Sequence, residues 1–208
     1  MQIRPTVKTF DISWNYEEPL SVHVVETGED IILFGTGTAD AGPDVADVAT
    51  DHDVNAVVVE HGDPDHFAGV PAVREALESV EVAAPAADLS FLEEADIDAD
   101  VGLEVGDMYH GIEVIAAPGH TPDNMAYRSG DVLIAGDTVV GSDSRFTSAT
   151  WSGPLGVIDA EYNADDGQAR ESAANLRDVE VDVVLVTHGS HVVEDGRVVL
   201  ETLAADLA

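Results

Sequence analysis

Polar and apolar residues alternate along Ile3 to Phe10, and this segment, Ser21 to Glu26 and the apolar Ile31 to Phe34 are predicted to be strands. A hairpin turn containing Gly28 joins the last two. Largely apolar runs at Val54 to Val59, Ile112 to Ala117, Val132 to Ala135 and Val181 to Val186 predict core strands, and Val80 to Ala84, Val101 to Val105 and Met125 to Arg128 predict shorter ones. Helical spacing marks Pro43 to Thr50, Val70 to Leu77, Ala86 to Ala95, Asn163 to Val179 and Val198 to Leu207, the first entered through Gly42-Pro43. Strands followed by helices occur twice, without a short repeat. This order predicts an α/β chain of two β-rich halves, each covered by helices on one face.

Composition narrows the picture. A length of 208 residues fits one domain over residues 1–208, able to bury a core without staples. With no cysteine, disulfides, thiolate metal sites and a cysteine nucleophile are excluded. Met1 to Phe10 holds no signal-peptide core, and no apolar run approaches the length of a membrane helix, so a soluble cytoplasmic protein is expected. Acids outnumber bases 42 to 8, for a formal charge of −34 spread along the whole chain. Such a surface repels itself in dilute salt and is relieved when molar salt shortens the screening length to roughly 3 Å, which points to a salt-adapted protein of halophilic origin. Disorder is not the explanation, because 45% of residues are hydrophobic and periodically placed. No basic patch exists to neutralise phosphates, so neither nucleic acid nor a membrane surface is an expected partner; a small molecule is.

Chemistry-bearing residues cluster directly after the apolar runs. His61-Gly62-Asp63-Pro64-Asp65-His66 follows Val54 to Val59, and Pro118-Gly119-His120-Thr121-Pro122 follows Ile112 to Ala117. Gly136-Asp137-Thr138 follows Val132 to Ala135, and Thr187-His188-Gly189 follows the last strand. Imidazole and carboxylate are suitable ligands for zinc or iron, and two ions can share a hydroxide while polarising a carbonyl or phosphoryl oxygen. A bridging carboxylate needs a rigid strand end, which Asp137 has.

His61-x-Asp63-x-Asp65-His66 with His120, Asp137 and His188 in order resembles the metallo-β-lactamase superfamily, whose signature is H-x-H-x-D-H followed by separate His, Asp and His positions. The likeness runs from about Ser21 to Gly189, and the Pro118 to Pro122 element is similar to the glyoxalase II-type hydrolases. It implies an αββα four-layer sandwich holding two divalent metal ions, with zinc ahead of iron or manganese. His61 and His120 would bind the first ion, Asp65, His66 and His188 the second, and Asp137 both, with Asp65 also orienting the nucleophile. Two departures stand out. Asp63 occupies the family's second histidine position, adding an oxygen ligand and a charge to the first ion; it resembles the acidic substitution of flavodiiron proteins, whose post-histidine segment Pro122-Asp123-Asn124-Met125 also resembles. Gly35-Thr36-Gly37 stands where the family usually has Asp-Thr-Gly, which removes a carboxylate from the outer shell.

The resemblance implies a hydrolase of a small acyl compound, a thioester ahead of others; since the chain ends soon after His188, a glutathione-linked substrate is not expected. A diiron redox or oxygen-binding protein and a non-catalytic metal-binding module are the alternatives. The irregular, polar stretch Gly141 to Gly156 is expected to border the pocket, with Arg145, Phe146 and Trp151 as candidate substrate contacts. His23 reads as a satisfied core or edge histidine, His52 and His110 as surface residues, and His191 as a neighbour of the site or of solvent. Arg128, Arg145 and Arg170 are expected to pair with neighbouring acids.

Overall fold

A computed structural model describes all 208 residues, and the chain divides into two compact units, Met1–Gly111 and Ile112–Ala208.

The first unit holds β1 (Gln2–Arg4), β2 (Val7–Ile12), β3 (Leu20–Thr27), β4 (Asp30–Phe34), α1 (Gly42–Asp51), β5 (Ala56–Val58), α2 (Pro64–Phe67), α3 (Val70–Ala76), β6 (Glu81–Pro85), α4 (Leu89–Glu94), β7 (Val101–Leu103) and β8 (Met108–Tyr109). Strands β1 to β7 form a seven-stranded sheet in sequence order, antiparallel as far as β4 and parallel from β4 to β7. The strand expected over Ile3 to Phe10 is interrupted: Pro5 and Thr6 turn the chain, and β1 folds back on β2 with Arg4 opposite Val7. Alternation explains the packing. Leu20, Val22, Val24, Leu33 and Val57 meet Val45 and Ala49 of α1, Val73 of α3 and Leu92 of α4, while Val25, Ile32, Phe34 and Val58, on the opposite face, are also buried. A sheet buried on both faces reads as apolar runs, which is why β5 lacked alternation.

In the second unit, β9 (Ile112–Ala116), β10 (Met125–Ser129), β11 (Val132–Ile134) and β14 (Val183–Leu185) lie in the order β14-β11-β10-β9, with β12 (Val140–Gly141) paired to β13 (Leu155–Gly156) and two helices, α5 (Asp166–Asn175) and α6 (Gly196–Asp206). Ala126, Leu133, Ala135, Val184 and Val186 pack with Ala173 of α5 and Leu200 and Leu203 of α6. Tyr127, Ile134 and Leu185 are buried on the other face. The helix expected over Asn163 to Val179 is shorter, because Asp165 caps α5 by accepting from the Gln168 amide at 3.0 Å and the chain tightens into a 3₁₀ turn at Leu176–Asp178. The expected irregular stretch Gly141 to Gly156 is closed at its base by the β12–β13 pair.

Topology places the chemistry. Strands β9 and β11 run alike, each antiparallel to β10, and β11 runs parallel to β14 with Ile134 opposite Leu185. The loops carrying His120, Asp137 and His188 therefore leave from one edge, with Asp137 and His188 equally far beyond the paired residues. In the first unit the parallel strands β4 and β5 likewise deliver Gly35 and the Glu60 to His66 segment to one edge.

Candidate metal centre

In the first unit β5 is extended by Val59, whose amide donates to Ala83, and Glu60 and His61 follow directly. The motif then winds into the single turn of α2: Pro64 starts it with φ already set, Asp63 occupies its N-cap, and the His66 amide donates to Asp63 at 2.9 Å. Asp63 makes no side-chain cap; its carboxylate instead lies 3.7 Å from His61 Nε2 and is 41% exposed. His61 and His66 are fully buried with ring centroids 3.9 Å apart, and Asp65 is half-buried beside them. His66 is fixed twice. Its carbonyl accepts from the Thr36 amide and hydroxyl, each at 2.9 Å, and its Nδ1 lies 3.0 Å from Oε2 of the buried Glu60. Sequence reasoning missed Glu60; the available signal was an acid set between an apolar run and His61.

In the second unit Asp137, His120 and His188 converge. The Asp137 Oδ2 atom lies 3.6 Å from His120 Nε2 and 3.6 Å from His188 Nε2, and all three residues are buried. The start of α5 holds the His120 loop: Gly119 and His120 carbonyls accept from Asp165 and Ala164, Ser172 Oγ donates to the Pro118 carbonyl at 2.7 Å, and Asn163 Oδ1 meets His120 Nδ1 at 3.3 Å. Asn163 was expected inside the helix; it lies ahead of it, extended, and so is free to reach His120. Asn124 ties two loops together, donating to the Ala117 carbonyl and to Thr138 Oγ1, both at 2.8 Å. The His188 loop is braced by Asp143, which accepts from the Ser190 amide at 2.9 Å and hydroxyl at 2.7 Å. Burial alone would raise the Asp143 carboxyl, but these Ser190 hydrogen bonds outweigh it and hold it below its ordinary value.

These separations suit shared ions. A hydrogen-bonded carboxylate and imidazole sit about 2.7–3.2 Å apart, whereas two ligands held at about 2.0–2.2 Å from one tetrahedral ion are separated by roughly 3.4 Å. The 3.6 Å spacings at Asp137 and the 3.7 Å spacing at Asp63 belong to the second class. Asp65 with His66, His120 with Asp137, and Asp137 with His188 each offer donors within 4.8 Å of one another.

Phe146, Trp151 and Arg145 each make contacts within the second unit. Phe146 is buried against His188 and Tyr162, with centroids 4.5 and 5.5 Å away. Trp151 donates to Thr147 Oγ1 at 2.9 Å and lies over Gly156, where any Cβ would collide with the indole. Arg145 is exposed, its guanidinium carbon 5.7 Å from the Phe146 ring centroid. Arg128 pairs with Glu113 at 2.7 Å and Arg170 with Asp166 at 3.0 Å, as expected. His23 is a core residue contacting Thr9 Oγ1 at 3.1 Å, and His191 accepts from the Val186 amide at 3.3 Å. His52 meets Lys8 Nζ at 3.3 Å. His110 is more engaged than a plain surface residue: its ring joins Asp30 Oδ2 at 2.8 Å and Glu81 Oε1 at 3.1 Å.

The family model of the metallo-beta-lactamase superfamily matches residues 16–188, and the chain belongs to that superfamily. No curated sequence matches significantly. Among solved structures, a metallo-beta-lactamase from Pontibacter korlensis is 20% identical with a TM-score of 0.75, covering 100% of this chain and 97% of its own. The metallo-beta-lactamase FIM-1 from Pseudomonas aeruginosa, in a mono-zinc form, is 20% identical with a TM-score of 0.70 over 99% and 92% of the two chains. A flavo di-iron protein from Thermotoga maritima is 14% identical with a TM-score of 0.69 over 98% of this chain and 63% of its own. At these identities the likeness concerns the fold: a mixed α/β chain of the metallo-β-lactamase type. No helix is long and apolar enough to cross a membrane.

Proposed function

We propose that the chain is a metal-dependent hydrolase acting on a small acyl compound, a thioester ahead of others, from a salt-adapted cytoplasm. The carrying observation is the Asp137 carboxylate, set 3.6 Å from the Nε2 atoms of both His120 and His188. In this reading Asp65, His66, Asp137 and His188 would hold one ion and His61, His120 and Asp137 the other, with Asp137 common to both. Asp63 would join the group that contains His61, its carboxylate lying 3.7 Å from His61 Nε2. Two divalent ions, zinc ahead of iron or manganese, would supply a nucleophilic hydroxide at neutral pH and polarise a carbonyl when bound. The residues supply the rest. Buried imidazoles keep fixed directions, Asp137 places its carboxylate at the centre, and half-buried Asp65 would orient the attacking nucleophile.

The test is hydrolysis of a panel of small acyl thioesters by protein purified at high salt, before and after chelation and after zinc is restored. Turnover that disappears with the metal and returns with it supports the reading; turnover that survives complete removal contradicts it.

A second reading, a diiron redox or oxygen-binding protein, is favoured by one observation: an oxygen donor, Asp63, stands beside His61 where the family has an imidazole. Bound iron with an oxygen-sensitive visible spectrum supports it, and a colourless zinc protein excludes it.

A further inference from the structure

Glu60 is an acid with 1% exposure in a chain whose other acids face solvent in great number. An ionisable group at that depth needs a strong partner, and the ring of His66 provides it at 3.0 Å. Gly35, with φ +74°, lies beside it at the end of the neighbouring strand β4, its amide donating to the Val58 carbonyl of β5 at 3.0 Å. A Cβ placed on Gly35 would stand 3.4 Å from Glu60 Oε2 and 3.6 Å from Oε1. The Glu60 carboxylate, reaching in from the adjacent strand, thus lies in van der Waals contact with the position a side chain at residue 35 would take.

We infer that Glu60 is a positioning residue: it fixes His66 with the proton on Nδ1 and Nε2 presented to the metal, replacing from β5 the carboxylate that an acid at position 35 would bring from β4. The Thr36 clamp on the His66 carbonyl sets the backbone, and Glu60 sets the ring. The carboxylate–imidazole–metal arrangement raises the basicity of the ligand nitrogen and removes the rotational freedom of the ring. The φ of +74° already favours glycine at position 35, and Glu60 adds an electrostatic reason against an acid there. A second carboxylate would face Glu60 across a van der Waals contact in a buried site, and two like charges there disfavour each other.

The inference rests on the metal-centre reading for its purpose, but the hydrogen bond is testable without metal. In metal-free protein, ¹⁵N NMR is expected to show His66 as the Nδ1–H tautomer in the wild type and in Glu60→Gln, which keeps an acceptor, and a mixed or inverted population in Glu60→Ala. Zinc affinity by chelator competition is expected to fall by about 10–100-fold in Glu60→Ala and by less in Glu60→Gln. Adding Gly35→Asp to Glu60→Ala is expected to recover part of the loss, whereas Gly35→Asp alone weakens binding. If Glu60→Ala does not fold, the isosteric Glu60→Gln carries the affinity test. Wild-type tautomer in Glu60→Ala, or affinity within about twofold of wild type in the folded variant, overturns the inference. A wild-type protein that binds no zinc yet shows the Nδ1–H tautomer refutes the metal-centre reading instead.

Discussion

Phe146 packs its ring on that of His188, centroids 4.5 Å apart and planes inclined by 50°. In the proposed metal centre this contact would make Phe146 a support for the His188 ring. Deleting the ring leaves a cavity and frees the imidazole, so Phe146→Ala is expected to destabilise the fold by about 3 kcal/mol in chemical denaturation. Zinc affinity should fall with it, whereas Phe146→Leu should retain most of both. Unchanged zinc affinity in a folded Phe146→Ala protein would show that the ring does not constrain His188.

Gly119, with φ +127°, approaches α5 so closely that a Cβ would lie 2.1 Å from the Ala169 amide nitrogen. The backbone must shift to admit a methyl group, and the His120 loop would shift with it. Gly119→Ala is expected to cost about 1–3 kcal/mol or more and to lower the thermal midpoint. A wild-type midpoint would show that the loop yields at no cost.

His110 gives a pH dependence whose sign follows from its neighbours. Burial lowers its pKa, but the hydrogen bond to Glu81 and the charge and hydrogen bond of Asp30 overcome this, leaving it above its ordinary 6.5. Glu81 is lowered by hydrogen bonds from Tyr109 and His110. A group with a raised folded pKa stabilises below its unfolded pKa and loses that contribution as pH rises through the folded value. The Glu81 contribution is present above its unfolded value and is lost as pH falls through the lowered one. The stability difference between wild type and His110→Asn, which tolerates the positive φ of 47° at this position, should therefore shrink as pH rises from about 6 to about 8. A constant difference across that interval would remove the ion pairing of His110 from the account.

The charge of −34 predicts a steep response to salt. Raising potassium chloride from about 0.1 M to about 1 M shortens the screening length from about 10 Å to about 3 Å. The thermal midpoint should rise over that interval. A midpoint that is flat or falling would mean that self-repulsion is not what salt relieves.

Much of the site was legible because its residues follow apolar runs, and strand ends are where backbone geometry is most constrained. His61, His120, Asp137 and His188 each lie a few residues beyond a strand, and His66 lies in the helical turn that follows His61. What stayed hidden depended on distant partners. Glu60 was one acid among many, and only its burial against Gly35 sets it apart. Asn163 looked helical until the Asp165 cap placed the helix start beyond it. His110 is exposed, as expected, but its partners Asp30 and Glu81 are remote in sequence and so stayed hidden. The strand break at Pro5 and the single turn of α2 were lost for a different reason, since both are shorter than the period from which an element is recognised.

The most direct measurement is the metal content of untagged protein, by elemental analysis, for the wild type and for Asp137→Asn. The account predicts about two equivalents in the wild type and a clear loss in the variant, whose amide cannot serve two ions as a carboxylate does. A folded wild-type protein without stoichiometric metal, or an Asp137→Asn variant that keeps both ions at wild-type affinity, would contradict it.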